Sequence, residues 1–319
     1  MFSVARRRER RQGASRDGSL SGALYAPAMR GTRLILVASI LWGTTGTAQA
    51  LGPSTASPLA VGSLRLLLGA AVLVIVAVLH KTDSGWRWVV RPVTLFAAVG
   101  VSAFQLFFFS AVSLTGVAVG TLLALGSAAV FVGVAEAVLA GMWPDSRWVV
   151  ATAPAVVGLA ILAASTRNAS VDGAGGLLAL AAGVSYASYI VSTSRLARLG
   201  SIRQSTATVF SIAAIGLLPV ALSQDLSFVR EVDGAVVVLW LGLATLALAY
   251  LLFSSGLRDT DASVAGTLSL AEPVTATILG VIVLAERPGP AAWFGIALII
   301  VGLALATRST RRAAPAMPV

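Results

Sequence analysis

Two ionisable residues lie inside long apolar stretches of this sequence. Glu272 stands directly before Pro273 in an apolar run over residues 262–285, and Arg65 stands about eight residues into another run, 57–79. A charged side chain at the centre of a bilayer costs at least about 2.5 kcal/mol, so such residues usually face protein or water at a functional site. The guanidinium could bind a carboxylate, and the carboxylate could take up and release a proton.

Proline makes the Glu272 stretch irregular as well. The ring of Pro273 excludes a helical hydrogen bond to the carbonyl four residues earlier, that of Ser269. We therefore expect a kink here, with a free carbonyl close to the Glu272 carboxylate.

The composition indicates that lipid surrounds most of the chain. Of 319 residues, 57% are hydrophobic and 11% are charged, and the mean hydropathy is +0.89. A soluble domain cannot bury so much apolar surface. The expected fold class is an all-α polytopic membrane protein with ten transmembrane helices, one for each apolar run: 34–51, 57–79, 92–113, 117–140, 148–165, 174–194, 204–222, 235–256, 262–285 and 291–307.

The basic residues predict how these helices are oriented. If both chain ends are cytoplasmic, nineteen Lys and Arg lie in cytoplasmic segments, and only Arg167, Arg230 and Arg287 lie outside. This asymmetry follows the positive-inside rule. The net charge of +10 is spread over tails and loops, so no extended basic face remains for nucleic acid. We expect a multi-pass protein of the cell membrane with cytoplasmic N- and C-termini.

The two ends of the chain are predicted to be tails. Residues 1–33 carry eight arginines and little that could form a core, which is typical of a disordered basic cytoplasmic segment. The next run ends in Ala48-Gln49-Ala50, which resembles a signal-peptide cleavage site. A retained helix is the favoured interpretation, because the run has a counterpart later in the chain. Residues 308–319 are the expected cytoplasmic C-tail.

Missing residue types exclude several kinds of site. The chain has no Cys, and its single His80 lies in a predicted loop. Disulfides, thiolate or histidine metal sites and Ser-His relays are therefore excluded. We expect neither a cofactor nor a bound metal.

The two halves of the chain repeat each other. A shift of 145 positions places residues 103–115 on residues 248–260, so that Gln105 corresponds to Tyr250. Each half, 34–165 and 174–307, holds five spans, and an odd number forces the two copies into opposite orientations. Inverted repeats are typical of secondary transporters, whose substrate site lies near the bilayer midplane between the repeats.

With these features, the chain resembles the EamA family of the drug/metabolite transporter superfamily over about residues 32–307. The resemblance rests on Leu41-Trp42-Gly43, on Arg65, on the stretch 269–287 and on the glycine-containing last run. It implies ten helices in two five-helix repeats. It also implies export of amino acids, nucleosides or other small metabolites, driven by a proton gradient or by exchange.

The resemblance is asymmetric between the halves. The first half has Ala128 and Gly141 where the family often has a proline and a helix-ending glutamate. In the second half, Pro273 and Glu286 stand at such positions, and we interpret them as the kink and as a structural cap at the outer boundary. The ninth helix, not the fourth, is expected to be the flexible and ionisable one.

Arg65 and Glu272 are expected to lie at a similar depth, about 12–15 Å from a surface at 1.5 Å per residue. Arg65 would bind a substrate carboxylate, and Glu272 would pair with Arg65 or take up a proton. A permanent ion pair and an arginine that snorkels to the headgroups are the alternatives. Glu136, close to the cytoplasmic end of its run, is interpreted as a snorkelling or gate-lining carboxylate.

Polar-tipped aromatic residues and one amide at mid-span complete the predicted substrate site. A buried Trp N–H or Tyr O–H needs a partner, so these groups would line an aqueous cavity. Hydrogen bonds across helices with nothing bound are the alternative. The residues are Trp42, Gln105, Tyr186, Tyr189 and Tyr250.

The expected function is export of a small metabolite, an amino acid or similar, by alternating access, coupled to protons or by exchange. A non-transporting sensor or scaffold would not need charges at mid-span. An intramembrane lipid-modifying enzyme would need clustered His, acidic or Ser residues near one interface. The expected partners are the substrate, the bilayer and protons, without nucleic acid, and a homo-oligomer is compatible with the sequence.

Overall fold

The computed structural model describes residues 29–80, 91–141, 143, 145–165 and 172–310, and the architecture below refers to this part of the chain. It consists of helical spans joined by short turns, and α2 to α10 are each long and apolar enough to cross a membrane. The spans are α1 (29–50), α2 (Pro58–Leu79), α3 (Pro92–Thr115), α4 (Val117–Ala140), α5 (Ser146–Ala164), α6 (Gly173–Leu199), α7 (Ile202–Leu222), α8 (Val232–Gly256), α9 (Ala262–Leu284) and α10 (Pro290–Thr310).

The predicted all-α membrane architecture is confirmed, with differences at the ends. Helix α1 begins at residue 29, inside the segment predicted to be a tail, and α10 continues to Thr310. The rest of both predicted tails, 1–28 and 311–319, lies outside the described residues. We call the membrane face at which α1 begins and α10 ends the terminal face.

Local sequence signals explain several helix ends. Ser57 Oγ accepts a hydrogen bond from the N–H of Ala60 at 3.1 Å, and Pro58 fills the first helical position of α2. Asp172 Oδ1 accepts from the N–H of Gly175 at 2.8 Å at the start of α6. Both are N-caps, which satisfy backbone donors that the first helical turn leaves open.

Helix α8 changes its winding near the middle. Residues Leu241–Leu248 form a π-helical segment between two α-helical ones, Val232–Trp240 and Ala249–Gly256. A π segment rotates the residues that follow it relative to a regular helix, and such segments are frequent at functional sites. It therefore sets the direction in which Tyr250 and Ser254 point.

Helix α9 is interrupted at residues 269–270, between segments Ala262–Leu268 and Ala271–Leu284. The prediction of a free carbonyl at Ser269 is wrong, because the N–H of Glu272 donates to Ser269 O at 3.0 Å. The chain forms a tighter, three-residue turn before Pro273. The Ser269 carbonyl, to which Pro273 has no N–H to donate, therefore accepts from the preceding residue instead.

The two inverted repeats, α1–α5 and α6–α10, interlock through small residues. The first helix of each repeat crosses the fourth helix of the other. A Cβ on Gly43 of α1 would lie 2.7 Å from Glu272 O of α9, and one on Gly183 of α6 would lie 2.9 Å from Ala124 O of α4. Glycine allows these backbone approaches, as is usual for helices packed within a membrane.

The packing of α5 against α10 predicts a strong effect of one methyl group. A Cβ on Gly295 would lie 2.9 Å from the backbone N of Leu162, so Gly295→Ala must push the helices apart. We expect a loss of about 1–3 kcal/mol in the free energy of unfolding, as for overpacked cores. Thermal unfolding of purified protein in detergent measures it.

Gly126→Ala is the matched control, because its Cβ meets Leu159 Cδ2 only at 3.6 Å, an ordinary contact. It should be neutral or raise the melting temperature, since alanine favours helix. Equal effects of the two substitutions would contradict the close α5–α10 contact.

Candidate functional site

Arg65 is buried in α2 and is held toward α3. Its side chain is 8% exposed, and Nη2 donates to Gln105 Oε1 at 3.2 Å. The guanidinium carbon lies 6.0 Å from the centroid of the Phe109 ring, and Nε has no hydrogen-bond partner. An arginine bound in this way does not snorkel to the headgroups, so that alternative is wrong. The cation remains at mid-span with donor capacity left over.

Glu272 lies near Arg65 without a direct ion pair. It begins the second segment of α9, is partly buried, and its carboxylate makes no hydrogen bond to the described residues. It interacts electrostatically with Arg65, Tyr186 and Tyr250, but no salt bridge joins it to Arg65. The permanent ion pair is therefore absent from this conformation. Two opposite charges therefore share one region without an ion pair between them.

An aromatic cluster borders the two charges. The Trp42 ring centroid is 4.9 Å from that of Tyr250, 5.1 Å from Phe253 and 6.3 Å from Tyr186. Tyr189 stacks on Tyr186 at 6.1 Å and meets Tyr250 edge-on at 5.6 Å. The structure thus brings together the aromatic residues singled out from the sequence, from three separate helices.

The sequence reasoning missed three phenylalanines of this cluster. Phe104 lies 5.0 Å from Tyr186, Phe210 lies 4.5 Å from Tyr250, and Phe253 touches Trp42. Phe253 follows Tyr250 by three positions, so helical spacing from that predicted residue was the available signal for it. Phe210 had no such signal.

Gln105 and Tyr250, which correspond in the repeat, both face Arg65. Gln105 accepts the Arg65 hydrogen bond, and Tyr250 interacts with Arg65 electrostatically. Trp42 Nε1 remains without a partner although the residue is only 5% exposed. Buried donors without partners are rare in proteins, so this one has hydrogen-bonding capacity left for a polar ligand or water.

Glu136 connects the two repeats at the terminal face. Its Oε1 accepts from the N–H of Ala262 and its Oε2 from the N–H of Ser263, both at 2.9 Å. The carboxylate of α4 thus caps the N-terminus of α9, where the helix dipole favours negative charge. It does not snorkel, so that part of the interpretation is wrong. Its position between the repeats suits a gate.

Two further contacts support this closure. Trp148 Nε1 of α5 donates to Ser263 O at 3.1 Å, and Thr152 and Thr267 share a hydrogen bond of 2.7 Å between their hydroxyls. Every residue of Ala262–Leu268 is buried, whereas Glu272 and most of the segment after it are not. The structure is therefore closed where α9 begins.

Glu136→Gln should loosen this closure. An amide can accept only one of the two N–H hydrogen bonds and carries no charge, so we expect the free energy of unfolding to fall by about 1–2 kcal/mol. The matched control is Glu231→Gln, because Glu231 precedes α8 but is exposed and makes no side-chain cap. Thermal unfolding in detergent compares the two, and similar melting temperatures would show that the Glu136 cap is unimportant.

Pro273 and Glu286 mark the two ends of the second α9 segment. Pro273 is buried directly after Glu272. At the far end, Ala285 adopts a left-handed conformation with φ of 55°, and the N–H of Glu286 donates to Gly280 O at 3.0 Å. The N–H of Ala285 also donates to Gly280 O, so backbone groups close the helix here. The Glu286 side chain is exposed, so here it is the backbone of Glu286 that caps.

Within the described ranges, no group of three or more His, Asp or Glu side chains is arranged to hold a metal ion. The candidate site brings together one guanidinium, one carboxylate, one amide and the aromatic cluster.

Comparison with known proteins agrees with this architecture. The sequence model of the EamA-like transporter family matches residues 29–164 and again 173–308. The chain is 39% identical over 280 residues to the uncharacterized transporter YwfM of Bacillus subtilis (strain 168), covering 87% of this chain and 94% of YwfM. A solved crystal structure superposes with a TM-score of 0.74 over 89% of this chain and 99% of its own, at 23% identity, a likeness of fold alone.

Proposed function

Because the chain belongs to the EamA-like transporter family, we propose that it is a secondary active transporter of a small zwitterionic metabolite, such as an amino acid. It is a multi-pass membrane protein of a transporter family. We further propose that the protein lies in the cell membrane with both termini in the cytoplasm and exports its substrate.

The observation that carries the substrate class is the separation of Arg65 from Glu272. A zwitterion offers a carboxylate, which a guanidinium binds with charge-assisted hydrogen bonds, and an ammonium group, which a carboxylate binds. Among the described residues, Arg65 Nε has no hydrogen-bond partner and the Glu272 carboxylate accepts no hydrogen bond, so both have capacity for a ligand. The rings of Trp42 and Tyr250 can add a cation–π contribution to the ammonium.

The contacts of α9 support alternating access. The terminal face is closed by Glu136, Trp148 and the Thr152–Thr267 hydrogen bond, all between repeats. Rocking one repeat against the other would break these few contacts and open that face. With the termini cytoplasmic, the face that opens is the cytoplasmic one, and its opening would admit a substrate from the cytoplasm for export.

Glu272 is the group that we assign to coupling. It would be ionised when the substrate ammonium is bound and would take up a proton when the site is empty, because a charge in this region without a counter-ion is costly. Such a carboxylate can support proton antiport or substrate exchange. Neither mode requires a cofactor.

Two experiments test this function. A screen of cells that overproduce or lack the protein, on plates with toxic metabolite analogues, identifies the compound whose toxicity changes and the direction of transport. Counterflow of that radiolabelled compound in proteoliposomes then measures transport directly. A sensor or scaffold would change no toxicity and would give no counterflow, and that result would reject transport of the compounds tested.

A further inference from the structure

A second polar region lies between α6, α7 and α8, on the terminal side of the aromatic cluster. Side chains of the three helices surround a narrow gap there, which has no room for a water molecule in this conformation. Five of its lining residues carry hydroxyls, and we call this region the hydroxyl pocket: Tyr189, Thr193, Ser205, Thr206 and Ser254.

Most of these hydroxyls make no hydrogen bond of acceptable geometry to the described residues. Tyr189, Thr193, Thr206 and Ser254 are between 1% and 4% exposed, and the hydroxyls of Thr193 and Ser254 lie beside that of Tyr189. A buried hydroxyl without a partner costs about 1–3 kcal/mol. Four in one place point to an occupant that this closed conformation does not admit.

Other hydroxyls of the same helices show that the chain can satisfy such groups locally. On α8, Thr245 Oγ1 donates to Leu241 O at 2.8 Å and Ser255 Oγ donates to Leu251 O at 2.6 Å. Ser254 stands between them in sequence but makes no such bond to its own helix. The lack of partners is therefore a property of the pocket, not of the helix.

The pocket connects the Glu272 region to the terminal face. Tyr189, at its inner end, contacts Tyr186 and Tyr250, which both interact with Glu272. Thr193 follows Tyr189 by four positions on α6, and Ser254 follows Tyr250 by four on α8, so each pair shares a helix face. Ser205 and Thr206 lie in the first turns of α7, which begins at the terminal face with Ile202.

We propose that the hydroxyl pocket is the closed form of a hydrated passage that carries protons between Glu272 and the terminal face. This inference rests on the proposed function. The lining has hydroxyls that both donate and accept but no charged group, which suits water rather than an ionic substrate. Each hydroxyl or water accepts a proton from one neighbour and passes its own to the next, so only O–H bonds form and break and charge is conserved.

The groups that face Glu272 decide where the passage ends. Arg65 reaches it from α2, Tyr186 from α6 and Tyr250 from α8. Only the two tyrosines continue into the hydroxyl pocket, through Tyr189. The proton therefore enters the Glu272 region by the tyrosines.

Thiol labelling tests whether the pocket takes up water. The chain has no cysteine, so Ser254→Cys and Thr245→Cys each introduce a single thiol on α8. Both replaced residues are buried, at 1% and 0% exposed, but only Ser254 lines the pocket. The charged reagent 2-aminoethyl methanethiosulfonate reacts with the thiolate, which forms only in contact with water. We expect Ser254→Cys in detergent to react at least tenfold faster than Thr245→Cys.

Equal labelling rates would overturn the proposal, whether or not transport is observed, because this measurement needs no substrate. The proton route is tested by Thr206→Val, which removes one hydroxyl of the pocket lining and keeps the size of the side chain. We expect proton-driven uptake into proteoliposomes to fall at least tenfold, with exchange within twofold of wild type. Loss of both modes, or of neither, would reject a proton route through the hydroxyl pocket.

Discussion

Glu272→Gln is expected to abolish net, proton-driven transport and to leave exchange of internal for external substrate measurable. Glutamine keeps the size and the hydrogen-bonding capacity of the side chain but cannot take up or release a proton. An exchanger returns with substrate bound and needs no proton, whereas net transport requires the empty carrier to reorient. Uptake into proteoliposomes under a pH gradient, compared with counterflow at equal pH, separates the two modes.

Glu286→Gln provides the matched control for Glu272→Gln. It neutralises a glutamate of the same helix, but that side chain is exposed and α9 is capped there by backbone groups. It should transport as wild type in both modes. If Glu272→Gln retained pH-driven uptake at wild-type rates, Glu272 would not be the coupling group, and the hydroxyl pocket would no longer lead to a titrating site.

Arg65→Lys is expected to weaken substrate binding strongly while keeping the positive charge. Lysine cannot form the paired N–H···O hydrogen bonds that a guanidinium makes with a carboxylate. Losing one such charge-assisted bond costs about 1.5–3 kcal/mol, which corresponds to a rise of about tenfold to hundredfold in the half-saturating substrate concentration. Counterflow at a series of substrate concentrations measures this value.

Two comparisons make the Arg65 result specific. Arg230→Lys changes an exposed arginine outside the spans and should leave counterflow unchanged. Arg65→Lys should retain affinity for a substrate analogue whose carboxylate is replaced by a neutral amide, since that analogue never used the paired hydrogen bonds. Wild-type affinity of Arg65→Lys for the intact substrate would remove Arg65 from the binding site.

The sequence was informative about Arg65 and Glu272 because charge within an apolar run is a strong local signal. Insertion into lipid penalises such residues wherever the neighbouring helices lie, so they could be selected without a fold. Glu136 was harder, because a carboxylate near the end of a span has several low-cost environments. Only the position of α9 shows that its oxygens accept the N–H groups of Ala262 and Ser263.

Serine and threonine carried the least information in the sequence. In a membrane helix their hydroxyls usually bond to their own backbone, as Thr245 does, and nothing in the chain distinguishes Thr245 from Ser254. Packing decides which hydroxyls are left without a partner. Phe210 is similar, since one more apolar residue in an apolar helix shows no sign of lying 4.5 Å from the Tyr250 ring.

The sequence by itself determined the class of protein: a ten-helix membrane transporter made of two repeats, with Arg65 and Glu272 placed within its spans. It could do so because hydropathy, charge and repetition are properties of the chain that lipid acts on directly. The tertiary structure decided that Arg65 binds Gln105 instead of Glu272, that the Ser269 carbonyl is taken, and that Glu136 closes one face. Hydrogen bonds depend on distances of a few ångströms between helices, and only the packed fold sets those distances.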